Sequence, residues 1–196
     1  MVFKIVALGL MAIFYCCYFA KMFSQRKQGI NTDQLGKGKE GFVKWIEVSL
    51  KTVTYIVPVM QVVSILFWKA EKASPLQIVG IAVEALGVLI FVISVLEMKD
   101  NWRAGVQKEE KTDLVTTGIY SVSRNPAFLG FDLMYIGILL AFSNWILLVV
   151  TLFAVLLFHL QIVNVEEDFL IEAFGQEYLA YKNKVFRYFG RKFWKK

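Results

Sequence analysis

Five apolar runs near membrane-spanning length constrain this chain more than any other feature of its sequence. A helix needs about 20 residues to cross a hydrocarbon core of roughly 30 Å. Because lipid offers no hydrogen-bond partners, each run must satisfy its own backbone polar groups, and this favours helices. We therefore predict an all-α protein that crosses a bilayer. The runs are 2–20, 48–68, 76–96, 127–142 and 145–163, of which the fourth is the shortest.

The composition fits one membrane-embedded unit. The chain has 196 residues, of which 57% are hydrophobic and only 19% charged, which is too apolar for a typical soluble domain and too short for several folded units. We predict a single domain over 1–196, an integral membrane bundle of about five transmembrane helices. Only Ser143 and Asn144 separate the last two runs, so these should form a tight antiparallel helical hairpin.

Basic residues follow the ends of the apolar runs and predict an orientation. Six Lys or Arg lie in 21–44, five in 97–126 and seven after residue 164, against three on the other side of the predicted membrane. By the positive-inside rule, the first loop, the third loop and the C-terminal tail are cytosolic and the N-terminus is outside. The net charge of +6 therefore fits a lipid bilayer, and we expect no nucleic-acid partner.

Two polar segments differ in their pattern. Segment 25–40 is polar and contains glycines, which predicts a mobile connecting loop. Segment 166–188 places apolar residues among charges at mostly helical spacing, which predicts a cytosolic amphipathic helix at the membrane surface. The basic and aromatic residues from 187 to 196 suit contact with anionic headgroups.

The segment 114–130 (LVTTGIYSVSRNPAFLG) is unusual for a connection between two apolar runs. It contains two glycines, an arginine and a proline, which favour non-helical backbone with exposed amides and carbonyls. Tyr120 and Phe128 add flat aromatic surfaces to it. The segment therefore predicts a binding site at the membrane surface.

The motifs in and after this segment resemble those of the isoprenylcysteine carboxyl methyltransferases, a family of integral membrane enzymes. The resemblance runs from about residue 107 to 181. It includes G-x-Y at 118–120, R-N-P at 124–126 with Gly130, E-E at 166–167, and F-G-x-E-Y-x-x-Y at 174–181. Asn125 stands where the family has histidine and Phe128 where it has tyrosine. Ile162 stands where the family places an arginine for the acceptor carboxylate.

The resemblance implies S-adenosylmethionine as cofactor and a cofactor site within 100–185. It further implies that Arg124 and Glu166 are catalytic. Arg124, Asp132 and His159 are the candidates for contact with the acceptor. Asp132 is expected to pair with a cation such as Arg124, and His159, the lone histidine, to be packed or hydrogen-bonded in its helix. The implied cofactor contacts are Gln107, Leu114, Val115, Tyr120, Asn125, Pro126, Ala127, Phe128 and Glu166.

The resulting functional prediction is methyl transfer from S-adenosylmethionine to a lipophilic or lipidated acceptor, in first place a carboxylate. Attack by a carboxylate neutralises charge and removes no proton, so the lack of an evident acid–base pair fits it. Three alternatives remain: a phospholipid or other lipid N-methyltransferase, an NADPH-dependent membrane reductase, and a non-catalytic membrane protein. A single histidine and two adjacent cysteines within an apolar run predict no metal site.

Overall fold

The computed structural model describes residues 1–69, 74–105 and 113–192, and every regular element within them is helical. The predicted all-α membrane bundle is confirmed. The six α-helices are α1 (Val2–Lys27), α2 (Gly41–Phe67), α3 (Pro75–Met98), α4 (Pro126–Ala141), α5 (Trp145–Gln161) and α6 (Glu167–Lys184).

The helices are long and apolar enough for a multi-pass integral membrane protein. Helices α1, α2 and α3 each reach spanning length, as does the continuous helical stretch that begins with α5 and runs into α6. Helix α4 is apolar but shorter. Each of the five predicted apolar runs therefore corresponds to one of the helices α1 to α5, although α1 ends seven residues later and α2 begins seven residues earlier than predicted.

Consecutive helices run in opposite directions, as contacts at their ends show. Lys4 at the start of α1 donates to the carbonyl oxygen of Leu66 at the end of α2, at 2.8 Å. Lys21 near the end of α1 forms an ion pair of 3.2 Å with Asp100, just after α3. The first and third loops thus meet at one end of the bundle, which we call the loop end.

The tightest helix pair is α3 with α4, which approach each other through glycines. Gly80 and Gly87 on α3 pack against Gly130 and Gly137 on α4, and the two glycines of each helix are seven positions apart. A Cβ added to Gly87 would lie 2.5 Å from a backbone nitrogen of α4, and one on Gly137 would lie 2.3 Å from a backbone nitrogen of α3. Small residues permit this close backbone contact, which drives helix association in membranes.

The predicted hairpin of α4 and α5 reaches the opposite end of the bundle. Asn144 caps α5, because its side-chain oxygen accepts a hydrogen bond of 2.9 Å from the backbone nitrogen of Leu147. Its side-chain nitrogen donates to Ser64 near the end of α2, at 2.6 Å. Phe142 packs edge-on against Trp68, with ring centroids 6.2 Å apart. The short α4 is therefore anchored at its far end.

The first loop is more than the simple connector predicted from its polar sequence. Thr32 donates to the side chain of Gln25 at 2.7 Å, and the backbone nitrogen of Gln34 donates to the carbonyl oxygen of Ala104 in the third loop at 2.8 Å. Lys51 on α2 forms an ion pair of 2.5 Å with Asp33. Hydrogen bonds therefore fasten this loop to α1, α2 and the third loop, which corrects the expectation of a mobile loop.

The chain leaves α5 through one π-helical turn, Ile162–Glu166, and continues directly into α6. Such turns shift the register of the side chains that follow. Helix α6 confirms that the predicted C-terminal segment is helical, and it has an internal kink at Gly175, where φ is +51°. The helix ends at Lys184 and not at residue 188 as predicted. Residues 185–192 form a tight hairpin, closed by the pair Val185 and Arg191, which we call the C-terminal strap.

Candidate active site

Two neighbouring cavities lie at the loop end of the bundle. The smaller one, of about 120 Å³, is called the interfacial cavity, and it contains nine of the predicted site residues. The segment joining its lining residues Gly105 and Asp113 holds the predicted contact Gln107 and lies outside the described residues. The nine predicted residues brought together are Leu114, Val115, Tyr120, Arg124, Asn125, Pro126, Ala127, Phe128 and Glu166.

Tyr120 is held rigidly in a 3₁₀ turn, Gly118–Ser121, that precedes α4. Gly118 opens this turn with φ of +53°, and the Glu97 carboxylate packs where a Cβ of residue 118 would lie, so only glycine fits here. The hydroxyl of Tyr181 on α6 donates to the carbonyl oxygen of Tyr120 at 2.5 Å. Burial, together with the nearby Tyr181 and Glu166, raises the pKa of Tyr120, so its phenol stays neutral.

Arg124 is tied to α6 by a buried ion pair. Its Nη2 lies 3.1 Å from Oε1 of Glu167, and its Nη1 donates to the hydroxyl of Tyr178 at 2.7 Å. Both charged side chains are about 95% buried, with 5% and 4% of their surface exposed. Lys182 and Arg187 also bind Glu167, each at 2.7 Å. One carboxylate therefore holds three cations, and Nε of Arg124 is buried without a partner among the described residues.

This network also affects Arg187. The hydrogen bond from its Nε to Glu167, which outweighs the effect of burial, raises the pKa of Arg187. The guanidinium therefore stays charged at any physiological pH, as is usual for arginine. Titration of Arg187 therefore does not disrupt its ion pair with Glu167.

Glu166 enters the interfacial cavity from the π-helical turn and is linked to α2 through an amide. The side-chain nitrogen of Gln161 lies 3.3 Å from Oε1 of Glu166 and 3.3 Å from Oε1 of Glu47. Glu47, which is fully buried, also accepts a hydrogen bond of 2.7 Å from the backbone nitrogen of Gly36. A chain of buried polar groups thus fixes Glu166 between α2, the first loop and α5.

The larger cavity, of about 290 Å³, lies among α1, α2, α4 and α5 and is mostly apolar. We call it the apolar cavity. Its walls include the rings of Tyr15, Tyr18 and Phe131, and its polar lining includes the Lys51 and Asp33 pair. An apolar pocket with a few polar groups at one side is typical of a site for a small lipophilic ligand.

The two cavities share a wall. Trp102, Arg103, Gly105, Ala127 and Phe128 line both of them. The ring of Phe128 packs against Phe158, with centroids 5.6 Å apart. Two ligands of different polarity could therefore approach each other across the first turn of α4.

The structure does not bring two predicted acceptor contacts into either cavity lining. Asp132 was predicted to pair with Arg124, but Arg124 binds Glu167 instead, and Oδ1 of Asp132 is buried without a partner among the described residues. His159 does follow the expectation of a hydrogen-bonded ring, because its Nδ1 lies 2.7 Å from the hydroxyl of Tyr188. Their proposed role toward the acceptor has no geometric support.

Sequence reasoning missed the residues that hold the site together. Glu167 was recognised only as the second residue of the E-E motif, yet it is 3% exposed and central to the ion-pair network. Tyr178 and Tyr181 were recognised as part of the motif at 174–181 and as apolar positions of a helix, but no contact with Arg124 or with the Tyr120 turn was predicted for them. Phe174, Tyr178 and Tyr181 follow one another at spacings of four and three positions, and this helical periodicity was the available signal.

Comparison with known proteins identifies the family of this chain. The family model described as phospholipid methyltransferase matches residues 76–177, a range that begins in α3 and ends in α6. It therefore includes the first turn of α4, Glu166 and Glu167. The chain belongs to the phospholipid methyltransferase family.

Individual relatives confirm the resemblance drawn from the motifs. The protein-S-isoprenylcysteine O-methyltransferase of Saccharomyces cerevisiae is 46% identical over 79 residues, which cover 40% of this chain and 33% of the yeast protein. The Dictyostelium discoideum protein of the same name is 30% identical over 121 residues, covering 61% of this chain and 51% of its own. The match to the Xenopus laevis protein covers 72% of this chain and 46% of that protein, at 29% identity. This chain thus spans about half or less of these relatives.

A solved structure has the same fold. It is a eukaryotic intramembrane Ras methyltransferase, isoprenylcysteine carboxyl methyltransferase, with a TM-score of 0.62 and 23% identity. The match covers 91% of this chain and 63% of that one. The helical arrangement found here is therefore that of a known membrane protein fold.

Proposed function

We propose that this phospholipid methyltransferase family member transfers a methyl group from S-adenosylmethionine, bound in the interfacial cavity, to a lipophilic acceptor bound in the apolar cavity. The observation that carries the proposal is the wall that the two cavities share at Ala127 and Phe128. A water-soluble donor and a membrane-soluble acceptor must meet at such a boundary. In this proposal, the loop end is cytosolic and the N-terminus is outside, so the donor enters from the cytosol.

The residues of the interfacial cavity fit the chemistry of this cofactor. The carboxylate of Glu166 can bind the amino group or the ribose hydroxyls, and the unpartnered Nε of Arg124 can bind a carboxylate. The rings of Tyr120 and Phe128 offer flat surfaces to adenine or to a sulfonium cation. When bound, the cofactor supplies an electrophilic methyl group on sulfur. Glu47 and Gln161 hold Glu166 in place, and the apolar walls exclude water from the reacting groups.

The acceptor that we propose first carries a carboxylate. A carboxylate needs no proton removed before it attacks, so the chain has to provide only orientation and a dry site. Ile162 is fully buried and stands where the resemblance to isoprenylcysteine carboxyl methyltransferases would place an arginine. Lys51, which lines the apolar cavity, is the cation that we assign to the acceptor in its place.

An amine acceptor is the second candidate, and the position of Asp33 favours it. This carboxylate lines the apolar cavity beside Lys51 and near Tyr15 and Tyr18, and an ammonium group binds well between a carboxylate and aromatic rings. An amine must lose its proton to attack, which requires a base. Glu166, which lines the interfacial cavity on the other side of the shared wall, is the base that we assign.

Calorimetry on the full-length chain in detergent micelles tests the cofactor site. We expect the native protein to bind S-adenosylmethionine and Glu166→Ala to bind it at least about tenfold more weakly, because a hydrogen bond to a charged group contributes about 1.5–3 kcal/mol. Tyr120→Leu, which keeps an apolar side chain of moderate size, should also weaken binding. Glu177→Ala removes an exposed carboxylate on α6 and serves as the matched control.

Two results would contradict this assignment. If Glu166→Ala and Tyr120→Leu both bound S-adenosylmethionine with unchanged affinity, the cofactor would not bind in the interfacial cavity. Binding of NADPH without binding of S-adenosylmethionine would support a reductase instead.

The class of acceptor is tested by product chemistry. The protein is incubated with methyl-tritiated S-adenosylmethionine and a lipid extract of native membranes, and the labelled product is treated with alkali. A methyl ester releases its label as methanol, as the carboxylate proposal predicts. A label that resists alkali would favour the amine.

A further inference from the structure

The C-terminal strap and the end of α6 carry an uninterrupted positive charge. Between positions 182 and 192 the chain has five Lys or Arg residues and no Asp or Glu. Lys182 and Arg187 are occupied by Glu167, whereas Lys184, Arg191 and Lys192 are exposed. The outer side of the strap is therefore a cationic surface.

Two phenylalanines stand on the same surface. Phe189 is 73% exposed and Phe186 is 46% exposed, and the Lys192 ammonium lies 5.7 Å from the centroid of the Phe186 ring. Exposed aromatic rings among basic side chains are costly in water but are favoured at the boundary between lipid headgroups and acyl chains.

The strap lies at the end of the apolar part of α5. The hydroxyl of Tyr188 is 2.7 Å from Nδ1 of His159, which belongs to the last turn of α5 before the π-helical turn. The height of the strap along the bundle is therefore that of the membrane surface. Its cations and rings are placed where headgroups would be.

The inner side of the strap is bonded to the segment that forms the interfacial cavity. The backbone nitrogen of Gly190 donates to the carbonyl oxygen of Val122 at 2.7 Å, and that of Arg124 donates to the carbonyl oxygen of Phe186 at 3.1 Å. The side chain of Asn125 donates to the carbonyl oxygen of Arg187 at 3.1 Å. Any force that presses the strap against the bundle also holds the start of α4.

We propose that the outer face of the C-terminal strap is a binding site for anionic lipid headgroups of the host membrane, and that lipid bound there holds the interfacial cavity in its closed, hydrogen-bonded form. Each basic residue near an anionic surface contributes attraction that is additive over several residues. The lipid contact rests on the geometry alone. Its effect on cofactor affinity rests in addition on the proposed function.

Hydrogen–deuterium exchange tests the lipid contact without any cofactor. The full-length protein is placed in nanodiscs of phosphatidylcholine alone or of phosphatidylcholine mixed with phosphatidylglycerol. We expect the backbone amides of residues 185–192 to exchange at least about fivefold more slowly with the anionic lipid, which corresponds to about one cation's attraction to the surface. High salt should remove the difference, since it screens exposed charges.

Matched double variants locate the effect on the strap. Phe189→Ser with Lys184→Gln removes one exposed ring and one exposed cation from the strap and should abolish the dependence on anionic lipid. Phe23→Ser with Lys27→Gln makes the same changes on an exposed part of α1 at the same end of the bundle and should behave like the native protein. Equal exchange in both lipids for the native protein, or equal lipid dependence in both double variants, would overturn the proposal.

The affinity for S-adenosylmethionine in the same nanodiscs separates the two proposals. We expect tighter binding with anionic lipid in the native protein and no such gain in the strap variant. Protection of the strap by anionic lipid without any cofactor binding would leave the lipid site standing and contradict the proposed function. The coupling would be overturned if anionic lipid slowed the exchange of the strap amides but left the affinity for S-adenosylmethionine unchanged.

Discussion

The contact between α3 and α4 and the contact between α6 and the first turn of α4 hold the same helix by different means. The first uses four glycines and direct backbone approach within the apolar bundle. The second uses Arg124, Glu167 and hydrogen bonds to carbonyl oxygens at the loop end. Closely packed backbones cannot rearrange without separating the helices, whereas a contact made by polar side chains can open locally and close again. The difference predicts that substitutions in the first contact destroy the fold and that those in the second destabilise the protein less.

The largest effect is expected for Gly87→Leu. The added side chain would meet the backbone of α4, which cannot move away without separating the two helices, so the loss should exceed the about 3–5 kcal/mol that breaking a buried ion pair costs. Thermal unfolding in micelles and the yield of folded protein measure it.

Gly9→Leu is the matched control for this substitution. Gly9 lies in α1 with nothing within 4 Å of an added Cβ, so this variant should unfold like the native protein. If Gly87→Leu proved as stable as Gly9→Leu, the close contact of α3 with α4 would not exist as described.

A smaller effect is expected for Glu167→Gln, which changes the contact between α6 and the first turn of α4. It leaves Arg124 buried without its counter-charge, which typically costs about 3–5 kcal/mol when one partner of a buried pair is removed. Denaturant unfolding should show the loss. The double variant with Arg124→Gln should recover part of it, because the two residues act on each other.

Glu177→Gln changes an exposed carboxylate of the same helix and should leave stability within the small range of surface substitutions. A Glu167→Gln protein as stable as the Glu177→Gln protein would mean that α6 is not held by its ion pairs.

The smallest effect is expected for Tyr181→Phe. The carbonyl oxygens of Tyr120 and Ser123 lose a donor, at 2.5 Å and 3.3 Å respectively, and the cost of one such bond is about 1 kcal/mol. The unfolding free energy should fall by that amount and the affinity for S-adenosylmethionine by a few-fold. Tyr55→Phe, at an exposed tyrosine of α2, should change neither stability nor this affinity. Equal behaviour of the two variants would contradict the role of Tyr181.

The sequence was sufficient for the membrane bundle because hydrophobicity is a local property. Each apolar run became a helix, and the break at Ser143 and Asn144 separates the two helices of the predicted hairpin. The segment that forms the interfacial cavity was also recognisable, because Gly118 and Pro126 interrupt regular structure where two aromatic rings stand nearby.

The partners of the polar side chains could not be read from the sequence. Asp132 was expected to pair with a cation such as Arg124, eight positions away, but Arg124 binds Glu167, which is 43 positions away and follows the π-helical turn after α5. Similarly, Glu47 on α2 reaches Gln161 across the bundle. Such pairs depend on how helices pack, and helix packing leaves little trace in local composition.

Methyl transfer by Thr54→Trp, compared with Thr52→Trp, tests the central claim of two cooperating cavities most directly. Thr54 lines the apolar cavity and not the interfacial one, whereas Thr52 is an exposed residue of the same helix. We predict that both variants bind S-adenosylmethionine like the native protein. Transfer of tritiated methyl groups to a membrane lipid extract should fall at least about tenfold in Thr54→Trp only, because the new ring fills the space of the acceptor. Native transfer rates in Thr54→Trp would contradict the assignment of the apolar cavity to the acceptor.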